Sequence, residues 1–182
     1  MEGFLNEVSG SAANSKALAG MFFYGFFLPH EIGHAFQHHT NSTPANDFDA
    51  EYQASELAVT YWRSKGKQKE LQQCYEMAKN VLKRLKNPIP ENVDAKKYMT
   101  DHYNELLQDP YKYGYIQFSQ IVKILEDQSL PDFETYVKKY VQNTNSPQDS
   151  LQAINRKTLL ALCCRNSACY LIALAYITLN IM

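Results

Sequence analysis

Two histidines one helical turn apart, in the pentapeptide His30-Glu31-Ile32-Gly33-His34, constrain the fold of this chain more than any other feature. If the segment is helical, His30 and His34 lie on the same face, and both imidazoles can reach one cation. A catalytic metal site usually has three protein ligands and a water, so these two are too few. A site of this kind would therefore need a further ligand, for which a second helix is the main candidate.

The residues around the pentapeptide predict a buried helix. Residues 17–28 read ALAGMFFYGFFL, and Ala35 and Phe36 continue the apolar pattern on the other side. Pro29 is tolerated in the first turn of a helix but breaks or kinks a helix that runs through it. We therefore expect the helix to begin at Pro29 or to bend there, with an apolar wall around the two histidines.

The HExxH spacing is typical of metal-assisted hydrolysis. Each imidazole supplies a nitrogen that suits zinc, and Glu31, which is beside His30, can reach a water on the open position of the metal. There Glu31 would act as the general base. The pattern predicts zinc (Zn2+) as cofactor and the hydrolysis of a peptide bond in a peptide or protein substrate. The bland alternative is a helix whose two histidines form a satisfied pair without a metal.

A second predicted helix, residues 46–63, offers candidates for the third ligand. It reads NDFDAEYQASELAVTYWR, with acidic residues in its first turn. The pattern HExxHxxGxxH is excluded, because Gln37 and Thr40 stand where it has its glycine and its last histidine. The acidic candidates are Asp47, Asp49, Glu51 and Glu56.

In this segment the chain resembles the gluzincins, the HExxH zinc metallopeptidases whose third ligand is a Glu on a following helix. Many of them have the pattern E-x-x-A-D-x-x-A, and residues 51–58 (EYQASELA) match it at Glu51, Ala54 and Ala58. The resemblance covers residues 17–63. It implies a zincin-like fold in which His30, His34 and Glu51 hold the zinc. Ser55 stands where the group usually has an Asp that orients a ligand histidine; Ser55 can hydrogen-bond but brings no charge.

The rest of the sequence predicts a mainly α fold with little or no β-sheet. Apolar residues recur at helical spacing in residues 67–86, 92–108 and 115–127 and again from Pro131, and no segment alternates as a half-buried strand does. Gluzincins usually place strands before the active-site helix, and one of them pairs with the substrate, whereas only about 16 weakly patterned residues precede it here. A non-catalytic metal-binding or helical interaction domain, or an inactive fragment of a larger peptidase, is therefore the alternative to an enzyme.

Length and composition fit one globular domain followed by an apolar segment. The chain has 182 residues, of which 45% are apolar and 20% charged, and a net charge of −1, which gives no reason to expect nucleic-acid binding. We expect the metallopeptidase domain to span residues 1–145 and an apolar C-terminal helical segment to span residues 146–182. For residues 159–182 a packed helix is favoured over a membrane anchor, because Arg165 interrupts the run and the uninterrupted part is shorter than the ~20 residues that cross a bilayer.

Cysteine usage favours a reducing compartment, and hence a cytoplasmic location. None of the four cysteines forms a CxxC pair, and three of them crowd one apolar segment, so a disulfide framework is not expected. The first residues carry acidic side chains and do not form a convincing signal peptide.

Tyr113 and Tyr115 are the candidates for a further catalytic role. Peptide hydrolysis passes through an oxyanion, which a Tyr or His donor beside the metal can stabilise. Residues 111–115 (YKYGY) are expected to lie in a loop before a helix, where such a donor could sit. His102 is a competing donor, although its apolar surroundings favour a packed core histidine. His38 and His39 are expected to interact with the C-terminus of the first helix, and His38, on the face of His34, is an alternative ligand.

Overall fold

The structure, a computed structural model, describes residues 2–141 and shows a purely helical architecture over that range. In chain order the elements are α1 (Glu2–Ser9), α2 (Ala12–Leu18), a π-helix (Ala19–Phe26), α3 (Phe27–His39), α4 (Asp47–Ser64), α5 (Gln68–Leu82), α6 (Ala95–Leu106), α7 (Pro110–Glu126) and α8 (Phe133–Val141). The prediction of a mainly α fold is confirmed for these residues, none of which lies in a strand. The expected C-terminal segment, residues 146–182, lies outside the described residues, as does the domain boundary proposed before it.

Polar caps determine where several helices begin. The side chain of Asn46 accepts a hydrogen bond from the backbone N–H of Asp49 at 3.0 Å, and Asp94 caps α6 in the same way. Asp109 caps α7 and is followed by Pro110 at the first helical position, where its fixed φ favours a helix. Residues 111–115 therefore lie in the first turns of α7. The prediction that they form a loop is wrong, because the Asp-Pro pair ends one helix and starts the next.

The helix that carries the two histidines continues directly from the π-helix. It begins at Phe27, two residues before Pro29, where the sequence predicted a start or a bend at the proline itself. In a regular α-helix the carbonyl of Gly25 would accept the N–H of residue 29, which proline lacks. The indole Nε1 of Trp62 on α4 donates to that carbonyl instead, at 3.1 Å. This hydrogen bond connects the π-helix before the proline to α4. π-Helical turns are frequent near functional sites.

Helix α4 is the centre of the fold and packs against α3, α5, α6, α7 and α8. The larger hydrophobic cluster lies where α1, α2, the π-helix, α5 and α7 meet α4, and there Phe22 packs edge-on against Phe118 with ring centroids 5.0 Å apart. The smaller cluster joins α6 and α7 and consists of Met99, Leu106, Tyr113 and Ile116. Because both clusters include residues of α7, this helix is held alongside α4 at the level of the candidate site.

Helices α3 and α4 approach each other closely at Gly33. A Cβ atom at this position would lie 2.9 Å from the Cα of Ala54 and 3.0 Å from its carbonyl oxygen. Such distances are too short for any side chain, so the approach requires glycine here. Gly33 lies within the pentapeptide, and Ala54 lies one turn after Glu51. Their contact therefore brings the two histidines of α3 and the carboxylate of α4 together.

Two further observations concern membrane spans and the cysteine within the described residues. No helix within residues 2–141 is long and apolar enough to cross a membrane. Cys74 is a free thiol in the larger cluster, and burial raises its pKa to about 12. A thiol that ionises so reluctantly packs as a small apolar group rather than as a nucleophile.

Candidate metal centre

Three side chains from α3 and α4 point their donor atoms at one place. Glu51 Oε2 lies 3.1 Å from His30 Nε2 and 3.6 Å from His34 Nε2, and the two Nε2 atoms lie 3.1 Å apart. His30 is fully buried, Glu51 is 3% exposed and the imidazole of His34 is 20% exposed. The three residues named from the sequence as ligands are therefore brought together, and among the described residues they form a group that could hold a metal ion.

Ser55 forms a hydrogen bond with Nδ1 of His30, the ring nitrogen that does not face Glu51. Its Oγ lies 2.9 Å from His30 Nδ1, one turn after Glu51 on α4, and it is completely buried. The prediction that Ser55 can form a hydrogen bond at this position is confirmed. With Nδ1 on the hydroxyl, His30 turns Nε2 towards Glu51.

Gln37 determines the tautomer of His34. Its Nε2 donates to the carbonyl of Ala50 at 2.8 Å, which fixes the amide and leaves Oε1 3.0 Å from His34 Nδ1. An amide oxygen can only accept, so Nδ1 carries the proton. In the neutral ring Nε2 then presents its lone pair to Glu51 and His30, which is the state that a metal ligand needs.

The Glu51 carboxylate favours a positive charge on the imidazole of His34. Burial lowers the pKa of His34, but the hydrogen bond and negative charge of Glu51 outweigh burial and raise this pKa to about 9. Burial has the opposite effect on Glu51, yet hydrogen bonds and charge from His30 and His34 hold the pKa of that carboxyl well below its usual range. Without a metal, a proton on His34 supplies a positive charge beside Glu51. A divalent cation would supply it when the proton leaves.

A glutamine from α7 completes the surroundings of Glu51. Gln117, itself 3% exposed, donates from Nε2 to Glu51 Oε2 at 2.8 Å and contacts Tyr113 Oη with the same nitrogen at 3.0 Å. Tyr113 is thus connected to the candidate site through one side chain. Tyr115 lies two positions further along α7, about 200° around the helix, and packs against the larger hydrophobic cluster.

The remaining acidic and histidine candidates lie in other surroundings. Glu31 is half-buried, and its negative charge is one of the causes of the raised pKa of His34, so it is close to the centre without belonging to the donor group. Glu56 accepts a hydrogen bond from Tyr136 on α8 at 2.9 Å. The side chain of His102 is 43% exposed and pairs with the exposed Glu105, so the expectation of a packed core histidine is wrong. The backbone of α6 is kinked at this residue. Asp49 forms an ion pair with Lys96 at the surface. His38 and His39 are exposed.

Two residues of the centre were not identified from the sequence, Gln37 and Gln117. Gln37 served there only to exclude a longer histidine pattern, although it follows His34 by three positions and shares its face. Gln117 lies in a different helix, and no spacing rule connects it to Glu51. Its one sequence signal is an amide among apolar residues on the inner face of α7.

Comparison with known proteins adds no relative to this description: no protein-family model, no curated protein and no solved structure matches the chain. Function must therefore be argued from the centre itself.

Proposed function

We propose that this chain is a zinc metallopeptidase domain of the gluzincin type, in which His30, His34 and Glu51 hold the metal. The observation that carries the proposal is the triangle of donor atoms, with edges of 3.1, 3.1 and 3.6 Å. Donors around a tetrahedral zinc, with bonds of about 2.0–2.1 Å, lie roughly 3.3 Å apart. The three atoms thus match one face of such a tetrahedron before any metal is added. Two histidines and a glutamate are also a known ligand set of catalytic zinc sites, which keep a fourth position open.

The surroundings support zinc as the ion. Both imidazoles are oriented through Nδ1, by Ser55 and by the Gln37 amide, as is usual for ligand histidines. Nitrogen donors favour zinc over magnesium or calcium, which prefer oxygen. Zinc bound here would supply a polarising charge and would make a water acidic near neutral pH.

Glu31 is the residue that we assign to proton transfer. It is beside His30 in the chain, is half-buried, and stands outside the donor group, so its carboxylate is available as a base. In hydrolysis it would accept a proton from the attacking water and pass the proton to the leaving amine. Of the two tyrosines considered as oxyanion donors, Tyr113 is the better placed, because Gln117 connects it to Glu51. We further propose a peptide or protein as substrate and a cytoplasmic location.

The test is a paired measurement on the full chain. Glu31→Gln should keep the zinc content of the wild type and lose hydrolysis of a fluorogenic peptide library. Glu91→Gln is the control, since Glu91 is an exposed loop residue, and it should keep both properties. Full hydrolysis by Glu31→Gln would remove Glu31 from the mechanism.

One observation favours a second candidate, a metal-binding domain without catalysis. Residues 2–141 contain no strand that could pair with an extended substrate, as a peptidase usually requires. In that case the wild type would bind zinc but would cleave the library no faster than Glu31→Gln does.

A further inference from the structure

The polar side chains on the inner face of α7 are costly for stability and call for an explanation. Tyr113, Gln117 and Gln120 follow one another at helical spacing, all nearly buried, between apolar neighbours such as Ile116 and Ile121. The Oε1 atoms of both glutamines are buried without a hydrogen-bond partner among the described residues. Burying an amide oxygen without a hydrogen-bond partner destabilises the folded protein. An apolar side chain of similar size would pack here without burying an unpaired oxygen. The hydrogen bonds of the amide nitrogen are therefore what Gln117 contributes at this position.

The amide of Gln117 can have only one orientation. Its Nε2 lies 2.8 Å from Glu51 Oε2. The opposite orientation would place an amide oxygen against a carboxylate oxygen, which repel each other. Gln117 is therefore a donor to Glu51, and the N–H bond occupies one of the two lone pairs of Oε2. The other lone pair of the same oxygen is left to face His30 and His34.

The second hydrogen of the same amide nitrogen serves Tyr113. Because Nε2 donates at 3.0 Å, the Tyr113 hydroxyl is the acceptor in this contact. Its own hydrogen therefore points away from Gln117. One side chain thus sets the direction of both a carboxylate and a hydroxyl.

We propose that Gln117 is a positioning residue of the metal centre, which holds Glu51 so that the single oxygen Oε2 would meet the metal, and which orients the Tyr113 hydroxyl. The inference rests on the proposed function, since it assigns a role within the same centre. It adds a third helix, α7, to the two that carry the ligands. Glu51 would bind through one oxygen and keep the metal four-coordinate, because rotation to offer both oxygens would break the bond to Gln117.

Gln120 provides a matched control on the same helix. It is equally buried, its Oε1 also has no partner among the described residues, and its Nε2 also donates to α4, but to the carbonyl of Phe48 at 3.0 Å. Gln117→Met and Gln120→Met each remove one amide, keep the length of the side chain and eliminate one unpaired oxygen. Both variants should fold, which circular dichroism and thermal unfolding will verify.

Zinc affinity, measured on the full chain by competition with a chelator, should fall about 10–100-fold in Gln117→Met and by less than tenfold in Gln120→Met. The visible ligand-field spectrum of the Co2+-loaded protein, which reports coordination geometry, should change only in Gln117→Met. A structural role alone would not alter this spectrum. Unchanged affinity and spectrum in Gln117→Met, or equal changes in both variants, would overturn the inference while leaving the metal centre in place. A wild type that takes up neither zinc nor Co2+ would overturn the proposed function and this inference together.

Discussion

Replacing Gly33 by alanine should separate the two ligand-bearing helices and weaken the metal centre. The added Cβ would lie 2.9 Å from the Cα of Ala54, whereas ordinary contacts begin at 3.4 Å, so α3 and α4 must move apart locally by about 0.5 Å. Metal–ligand distances in protein sites vary by only about 0.2 Å. The donors of His30, His34 and Glu51 lie on both sides of this contact, so the shift exceeds what a bound zinc tolerates. We expect zinc affinity to fall at least about tenfold, as for other disturbances of the ligand surroundings.

The effect on stability should be smaller than the effect on zinc. Overpacking costs about 1–3 kcal/mol, while alanine in a helix recovers up to about 1 kcal/mol relative to glycine. Gly20 is the control, because no atom of the described residues lies within 4 Å of a Cβ built there. Gly20→Ala should bind zinc as the wild type does and should unfold at the same or a higher temperature. Chelator competition and thermal unfolding measure both properties. Equal zinc affinity in Gly33→Ala and Gly20→Ala would refute the argument that the close approach sets the geometry of the centre.

Four further outcomes follow from contacts in and around the centre. His34, with a pKa of about 9, is protonated below that pH, and zinc must displace this proton to bind. Zinc affinity should therefore rise about tenfold per pH unit up to pH 9. A zinc affinity that no longer rises above pH 6.5 would contradict this. The ion pair between protonated His34 and Glu51 also stabilises the metal-free protein. This stabilisation should be complete below pH 6.5 and should be lost as the pH rises through 9, which thermal unfolding can follow. Glu51→Ala should abolish zinc binding in elemental analysis, whereas Glu56→Ala should retain it; the reverse would move the third ligand. Trp62→Phe should lower the free energy of unfolding by about 1 kcal/mol, because the Gly25 carbonyl loses its donor, and should leave zinc affinity unchanged.

The proximity of His30, His34 and Glu51 could be predicted from the sequence because each residue follows a spacing rule. His30 and His34 are one turn apart, and the match of residues 51–58 to a known helical pattern selected Glu51 among four acidic candidates. The structure brings these three together and turns Glu56 towards α8 instead. The helical class could also be predicted, since apolar residues recur at helical spacing in residues 67–86, 92–108 and 115–127.

The parts that could not be predicted depend on contacts between distant segments. The contact between Gln117 and Glu51 depends on the packing of α7 against α4. The two residues are 66 positions apart in the sequence, and no local pattern predicts their contact. The start of α7 was missed because an Asp-Pro pair both ends and begins helices. The π-helix before Pro29 depends on a hydrogen bond from Trp62, which lies on another helix.

Elemental analysis of the protein purified without added metal, then dialysed against zinc, tests the central claim most directly. The account predicts one zinc per chain in the wild type and close to none in His30→Ala, which removes a fully buried donor. A wild type that holds no zinc after dialysis, or a His30→Ala variant that holds as much as the wild type, would contradict the assignment of His30, His34 and Glu51 as a metal centre.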